Sequence, residues 1–295
     1  MIGTDAIPAP ELNRLERSVP QSPRTVTQQL LRSASFLAGA VIVLFWIVCA
    51  VFGTTIAPHN PLAQQLLATN ASPSGAHLFG TDPLGRDVLS RVIVGARDIL
   101  VISSVATVLG TVLGTALGLV MGYFGGTVDI VVGRFVEALL ALPVVIVGIL
   151  FVLALGPSIP VLVVVIGFVF APLIARTVRS AVLSERELDY VAAARLRGEK
   201  ALHIMFVEIL PNVLPPILVE FTVRVGYAIF TVATLSFLGV GPPPPTPDWG
   251  ADIAANYAGI SAGYWWETLF PALAIASLVI AVNLIADGVE SVLAQ

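Results

Sequence analysis

The sequence predicts an all-α membrane protein with six transmembrane helices, and three observations predict it. Of 295 residues, 57% are hydrophobic and only 12% charged, against about 25% charged in ordinary globular domains. A mean hydropathy of +0.93 would leave a water-soluble fold with a largely apolar surface. Apolar runs of roughly 20 residues recur, the length a helix needs to cross a hydrocarbon core of about 30 Å. Barrel strands would instead alternate polar and apolar residues over segments of about 10, and no such pattern repeats.

Taken in order, residues 1–35 form a polar, proline-bearing tail, too long for the charged leader of a signal peptide. The apolar run after it exceeds a signal core, so 36–57 reads as a retained first span. Residues 58–98 follow as an external loop, then a second span over 99–121. The third and fourth spans, 136–155 and 160–179, are separated by "GPSI", a hairpin between helix breakers. A loop over 184–211 leads to a fifth span at 213–235, and a sixth covers 269–287. The run "GPPPPTP", residues 241–247, is expected to be extended and polyproline-like, outside the bilayer or in a protein-lined cavity. Cys49, the only cysteine, excludes an internal disulfide and reads as a small hydrophobe in the first span.

Arginine and lysine set the orientation. The tail carries Arg14, Arg17, Arg24 and Arg32, and the loops on its side add Arg134, Arg186, Arg195, Arg197 and Lys200. Arg176 and Arg179 stand at the mouth of the fourth span. The opposite loops 156–159 and 236–268 have neither residue. In 58–98, Arg86, Arg91 and Arg97 are accompanied by Asp82, Asp87 and Asp98. Both termini are therefore placed in the cytoplasm. The net charge of -4 does not suggest a nucleic-acid partner.

Three features stand out from the apolar background. Gly110, Gly114, Gly118 and Gly122 recur every fourth residue on one face of the second span. That spacing lets two helix backbones approach closely, within the bundle or at a seam with another subunit. Glu220 and Arg224 form an i,i+4 pair in the fifth span, either neutralising each other within the bundle or lining a path that meets the termini of a zwitterionic peptide. The third feature is "SERELDYVAAARLRGEK", residues 184–200, a concentration of charge in a chain that has little. Ser184 with Glu187 matches a capping box; acidic residues open the segment and Arg195 and Arg197 close it, as a helix dipole favours. Gly198 follows where a left-handed cap belongs. A helix of about 13 residues is expected, then a second helix over 199–210 that stops at Pro211. Ala192, Ala193 and Ala194 form a bare flank suited to another protein's groove, or to lying on lipid headgroups.

"DYVAAARLRG" followed by "EILPN" resembles the cytoplasmic signature of permease subunits of ABC importers: Glu-Ala-Ala, three residues, Gly, a further stretch, then Leu-Pro. Ala193, Ala194, Gly198, Leu210 and Pro211 match it, with Tyr190 and Arg195 inside the same loop. Ala192 stands where the family usually has Glu. "HLFGTDPLGRDVLSRVIVGAR", "GYFGGTVD" and "LSFLGVGPPPPTPDWG" resemble landmarks of the C-type subunit of dipeptide and oligopeptide permeases, a family that also serves nickel. The resemblance runs from about residue 30 to the end and implies a type I permease core over 97–288. It further implies a coupling helix that docks on the ATP-hydrolysing subunit, import as the direction of transport, and residence in a bacterial cytoplasmic membrane. The partners it implies are a second homologous permease, two ATPase subunits or domains that hold the ATP and Mg, an extracytoplasmic substrate-binding protein, and lipid.

The chain lacks G-x-x-x-x-G-K-[ST], so no nucleotide is expected on it by that route and no catalysis is assigned to it. No metal site is expected either, because His59, His77 and His203 are scattered and no His or Cys pair has ligand spacing. Dipeptides or oligopeptides are the expected cargo, with nickel or another small solute on the same machinery as the alternative. A lone ion-coupled secondary transporter is the remaining reading, but the internal repeat such proteins often carry is not found.

Overall fold

In lipid every backbone N–H and C=O must be bonded within its own segment, so apolar runs of this length become helices. In the computed structural model, which describes residues 29–293, the chain is all-helical. Extended backbone pairs among these residues only at an isolated bridge between Thr81 and Asp87. The tail expected over 1–35 lies outside the described residues as far as residue 28, with Arg14, Arg17 and Arg24.

α1 (Ala34–Ile56) is opened by Ser33, whose hydroxyl accepts from the Phe36 amide. α2 (Val88–Phe124) has 37 residues, about 55 Å at 1.5 Å per residue. It overshoots a bilayer core, so the last part of the expected loop 58–98 is in fact helix. α3 (Gly126–Leu140) and α4 (Val144–Leu155) meet at 86°, where an unbroken span over 136–155 was expected. Pro143 causes the break: it has no N–H to continue the helix and pushes Leu142 out of helical geometry. α5 (Ile159–Glu185) runs six residues past the expected end at 179. α6 (Asp189–Leu196) follows, then a turn at Ala201–His203, a π-helical segment Ile204–Ile209, and α7 (Leu210–Phe237). α8 (Trp249–Asn256) and α9 (Trp266–Leu293) complete the order.

Helix directions follow from which residues touch. Gly110 lies against Gly167 and Phe170, Gly114 against Ala171 and Ile174, Gly118 against Ala175 and Val178, and Gly122 against Val182. Numbers rise together on both helices, so α2 and α5 are parallel. The chain between them must therefore cross back, and α3 with α4 forms one bent crossing, which makes the candidate spans six among the described residues. A Cβ added at any of the four glycines would stand 2.6–2.9 Å from α5 atoms; the small-residue face is consumed inside the chain. α1 and α9 are antiparallel: Phe36 meets Gly288, and Trp46 Nε1 donates to Ser277 Oγ at 2.9 Å. The start of α1, the end of α9 and α6 thus share one face. Cys49 is buried in the apolar core beside α1's Trp46.

The opposite face is a knitted layer. Asp87 caps α2, accepting from the Ser90 amide at 2.8 Å and the Ser90 hydroxyl at 2.7 Å. Asp82 accepts from the amides of Leu84 and Arg86 and from Arg86 Nε at 2.6 Å, closing the turn in "GTDPLGRD". Trp249 Nε1 donates to the Val92 carbonyl at 2.9 Å, and Trp266 Nε1 to the Thr81 carbonyl at 3.1 Å. The proline run is not extended throughout: it turns where the Thr246 amide meets the Pro243 carbonyl at 3.4 Å, and the 244–245 peptide is cis.

Candidate functional site

α5 does not stop where the charged stretch begins. Val178 and Val182 keep packing on Gly118 and Gly122, so the helix carries through Ser184, whose hydroxyl turns back to the Ser180 carbonyl at 3.4 Å. Ser184 therefore caps nothing, and Glu185 and Glu187 precede the next helix rather than open it. α6 has eight residues and starts after Leu188, with Asp189 in its first turn and Arg195 in its last. Its far end has the geometry expected of Gly198, at φ +76. The Gly198 amide reaches the Arg195 carbonyl at 3.0 Å and the Glu199 amide the Ala194 carbonyl at 3.2 Å, which is the paired bonding of a Schellman cap.

α6 has an inner and an outer side. Val191 and Ala194 are fully buried against the bundle, so the alanine flank expected at Ala192, Ala193 and Ala194 loses its third member. Ala192, Ala193 and Arg195 face outward, and Leu196, which sequence reasoning missed, is 90% exposed. Leu188 and Leu202 add exposed apolar surface on either side.

Charged side chains bolt this unit to the bundle. Arg186 Nη1 donates to the Gly122 carbonyl at 2.8 Å, and the Arg195 guanidinium lies 5.4 Å from the centre of the Tyr123 ring. The Tyr190 hydroxyl donates to Glu185 at 2.6 Å and accepts from Asn212 at 3.1 Å. Burial first, then the bond to Glu185, raises the Tyr190 hydroxyl above the ordinary phenol range. Arg197 pairs with Glu199 at 2.7 Å and Glu208 at 3.3 Å. Pro211 does not end a helix, as the sequence suggested. The turn before it widens instead, with the Leu210 amide reaching back five residues to the Met205 carbonyl. A π turn of this kind accommodates a residue that has no N–H and whose ring displaces the preceding carbonyl. Leu210 and Pro211 thus lie in a continuous helical path into α7.

Glu220 and Arg224 do meet, Nε to Oε1 at 2.6 Å, and Arg224 stacks over Tyr227 at 5.3 Å. Arg224 also lines a groove of about 630 Å³ between α5 and α7, with Arg176, Thr177, Ser180, Ser184 and Pro216. Arg176 turns as well toward a second cavity of about 700 Å³, lined by Asp129, Arg134, Glu137 and Arg179. There Arg179 grips Asp129 with two bonds of 2.5 and 2.6 Å, tying α5 to α3. The histidines are not all apart: His59 and His77 converge on Asp87, while His203 lies 3.5 Å from Glu199 beside α6. No short spacing in the sequence signals the first of these groupings.

Over residues 114–295 the chain matches the family described as binding-protein-dependent transport system inner membrane component, and over residues 24–73 the N-terminal TM domain of oligopeptide transport permease C. It is 39% identical to a putative peptide transport system permease protein of Brucella suis, with 92% of each chain covered. It is 41% identical to the dipeptide transport system permease protein DppC of Escherichia coli, with 89% of each chain covered. Among solved structures it is similar to a chain of the MetNI methionine ABC transporter in an inward-facing conformation, with a TM-score of 0.55 and 21% identity. That likeness covers 68% of this chain and 96% of the other, and it concerns the fold.

Proposed function

The chain belongs to the family of binding-protein-dependent transport system inner membrane components, and we propose that it works there as one permease subunit of an ATP-driven importer of dipeptides or oligopeptides. It is a multi-pass inner-membrane protein of the peptide-permease branch. In this reading the face bearing α6 is cytoplasmic, in accord with the arginines gathered there. A second, homologous permease covers the groove at Arg224 and Arg176 and completes the path. Two ATPase subunits supply the ATP and Mg, and a binding protein delivers peptide to the opposite face. The chain itself catalyses nothing.

One observation carries the reading: α6 is a short helix locked at both ends, with Val191 and Ala194 inward and Ala192, Ala193 and Leu196 outward. A rigid helix offering small and apolar side chains away from the bundle fits insertion into a partner's groove. Closure of the ATPases would pull α6, and α6 would move α5 through Tyr190–Glu185 and α2 through Arg195 on Tyr123. The carboxylate the family usually places at position 192 is absent, so docking here rests on the shape and apolar side chains of the outer side.

The test reconstitutes the chain with its partner permease, ATPases and binding protein, and measures ATP-dependent uptake of labelled dipeptides and longer peptides, with nickel as rival cargo. Ala193→Trp on the outer side, and Gly198→Pro, which cannot adopt φ +76, are expected to abolish uptake while the subunits still assemble. Uptake of nickel alone overturns the cargo; uptake indifferent to ATP overturns the machine.

A further inference from the structure

On the face opposite α6, three residues between the end of α1 and the start of α2 present nitrogen and oxygen donors to one point. Asp87 uses Oδ2 to cap α2, leaving Oδ1 free of that duty. Oδ1 lies 2.9 Å from His77 Nδ1 and 3.6 Å from His59 Nδ1, and the two imidazole rings stand 4.7 Å apart. One ligand atom from each of the three residues lies within 4.8 Å of the other two. Asp87 and His77 are both buried. His59 Nδ1 is buried as an atom yet has no hydrogen-bond partner.

An orphaned buried nitrogen is costly, and no hydrogen-bond partner among the described residues offsets that cost. The separation of 3.6 Å is too long for a hydrogen bond. It suits two ligands of one cation: at metal–ligand distances of about 2.0–2.1 Å, tetrahedral neighbours stand about 3.3 Å apart, between the two observed values. We propose that His59, His77 and Asp87 form a binding site for a borderline divalent transition cation of the Zn²⁺ type. Two imidazoles and one carboxylate suit Zn²⁺ or Ni²⁺, whereas Mg²⁺ and Ca²⁺ demand oxygen. Coordination takes the Nδ1 lone pair of the neutral His77 imidazole, whose ring proton then sits on Nε2, so the cation's two positive charges meet the one negative charge of Asp87.

The surroundings supply what such a site needs. The Ser90 hydroxyl donates to Asp87 Oδ2 and accepts the His59 backbone amide at 3.0 Å, so one side chain orients the carboxylate and anchors the histidine segment. Hydrogen bonds that aim the ligands in this way typically change metal affinity 10–100-fold. His59 also lines an open cavity of about 530 Å³ with Pro58, Asn60, Leu62 and Pro247, through which an ion and a fourth, water ligand enter. Once bound, the cation joins the segment after α1, the 71–87 loop and the start of α2. This proposal does not depend on which solute is transported.

The test uses the full chain with its partner permease in detergent, stripped of metal and titrated with Zn²⁺ against a chromophoric indicator. Co²⁺ is added separately for its visible absorption. The wild type is expected to bind about one Zn²⁺ per chain at this site and to rise in Tm on loading. His59→Ala removes no side-chain hydrogen bond, so it folds, and it is expected to weaken binding about 100-fold or more and to lose the Tm shift and the Co²⁺ spectrum. His203→Ala, in the group near Glu199 and Glu208 on the other face, should change none of these. Equal binding by wild type and His59→Ala, no binding by either, or loss only in His203→Ala overturns the proposal.

Discussion

Tyr190 and Glu185 share a 2.6 Å hydrogen bond across the junction of α5 and α6, and the same hydroxyl accepts from Asn212 at the start of α7. One phenol joins three elements. Bonds to charged groups contribute about 1.5–3 kcal/mol when fully formed; this one is partly exposed, so Tyr190→Phe should cost about 1–2 kcal/mol. Amide exchange within α6 should speed up about 5–30-fold, while exchange in α2 stays as it was. Unchanged exchange in α6 would show that the junction is held by other contacts.

At the α2–α5 seam, a Cβ on Gly118 would stand 2.6 Å from Val178 Cβ. Overpacking of this kind typically costs about 1–3 kcal/mol, and here the obstacle is a β-branched side chain on a facing backbone. Gly118→Val is expected to lower the detergent-phase Tm and the yield of assembled transporter. Gly133→Ala is the matched control, since its Cβ meets only Met121 Cε, at 3.7 Å, and its Tm should hold or rise.

Arg91 and Asp252, 161 residues apart, pair through Nη2–Oδ1 at 2.5 Å and Nε contacts of 3.0 and 3.1 Å, both side chains buried. Removing one partner of a buried pair costs about 3–5 kcal/mol because the other charge is stranded. Arg91→Ala and Asp252→Ala should each destabilise by that order, and Arg91→Met with Asp252→Leu should be milder than either. Thermal unfolding of the three variants decides it; a double variant as poor as the sum would place the effect outside the pair.

The parts legible in the sequence were those that one helix expresses by itself. Long apolar runs announce spans, glycines at a spacing of four announce a close neighbour, and Gly198 after two arginines announces a helix end. What stayed hidden depends on what lies alongside. Ser184 looks like a cap until Val182 is seen locked on Gly122, which keeps α5 helical past it. Ala194 looks like its neighbours Ala192 and Ala193 until the bundle claims one side of α6. Pro211 reads as a stop, yet a widened turn lets the helix through, while Pro143 does break its span. Arg91–Asp252 joins segments far apart in the chain, and His59, His77 and Asp87 meet through the folding of an irregular loop; periodicity carries no record of either.

Asp248 caps α8, accepting from the Ala251 amide at 2.8 Å and from the Ser236 hydroxyl at 3.1 Å. Burial nonetheless pushes its carboxyl up to about 6. The folded protein therefore holds this proton more tightly than the unfolded chain. Its contribution to stability is full below about pH 4 and is lost as the pH rises through 6. Over that window the difference amounts to about 2–3 kcal/mol at most. Asp248→Asn keeps an oxygen for the Ala251 amide but has no charge to bury. The difference in Tm between variant and wild type should therefore grow in the variant's favour from pH 4 to 7, and a constant difference would remove Asp248 from the pH response.

The two helices that flank α6 are built differently. α5 reaches the far side of the bundle in 27 residues, about 40 Å, and although Pro172 lies in its interior it is backed by a parallel companion with almost no space between the two. α7 begins with a widened turn and carries Pro211, Pro215 and Pro216 in its first two turns. If α6 is the coupling element proposed above, a load applied there would meet a braced helix on one side and a more pliant one on the other. The braced helix would then carry the displacement to the opposite end while the widened turn took up the mismatch.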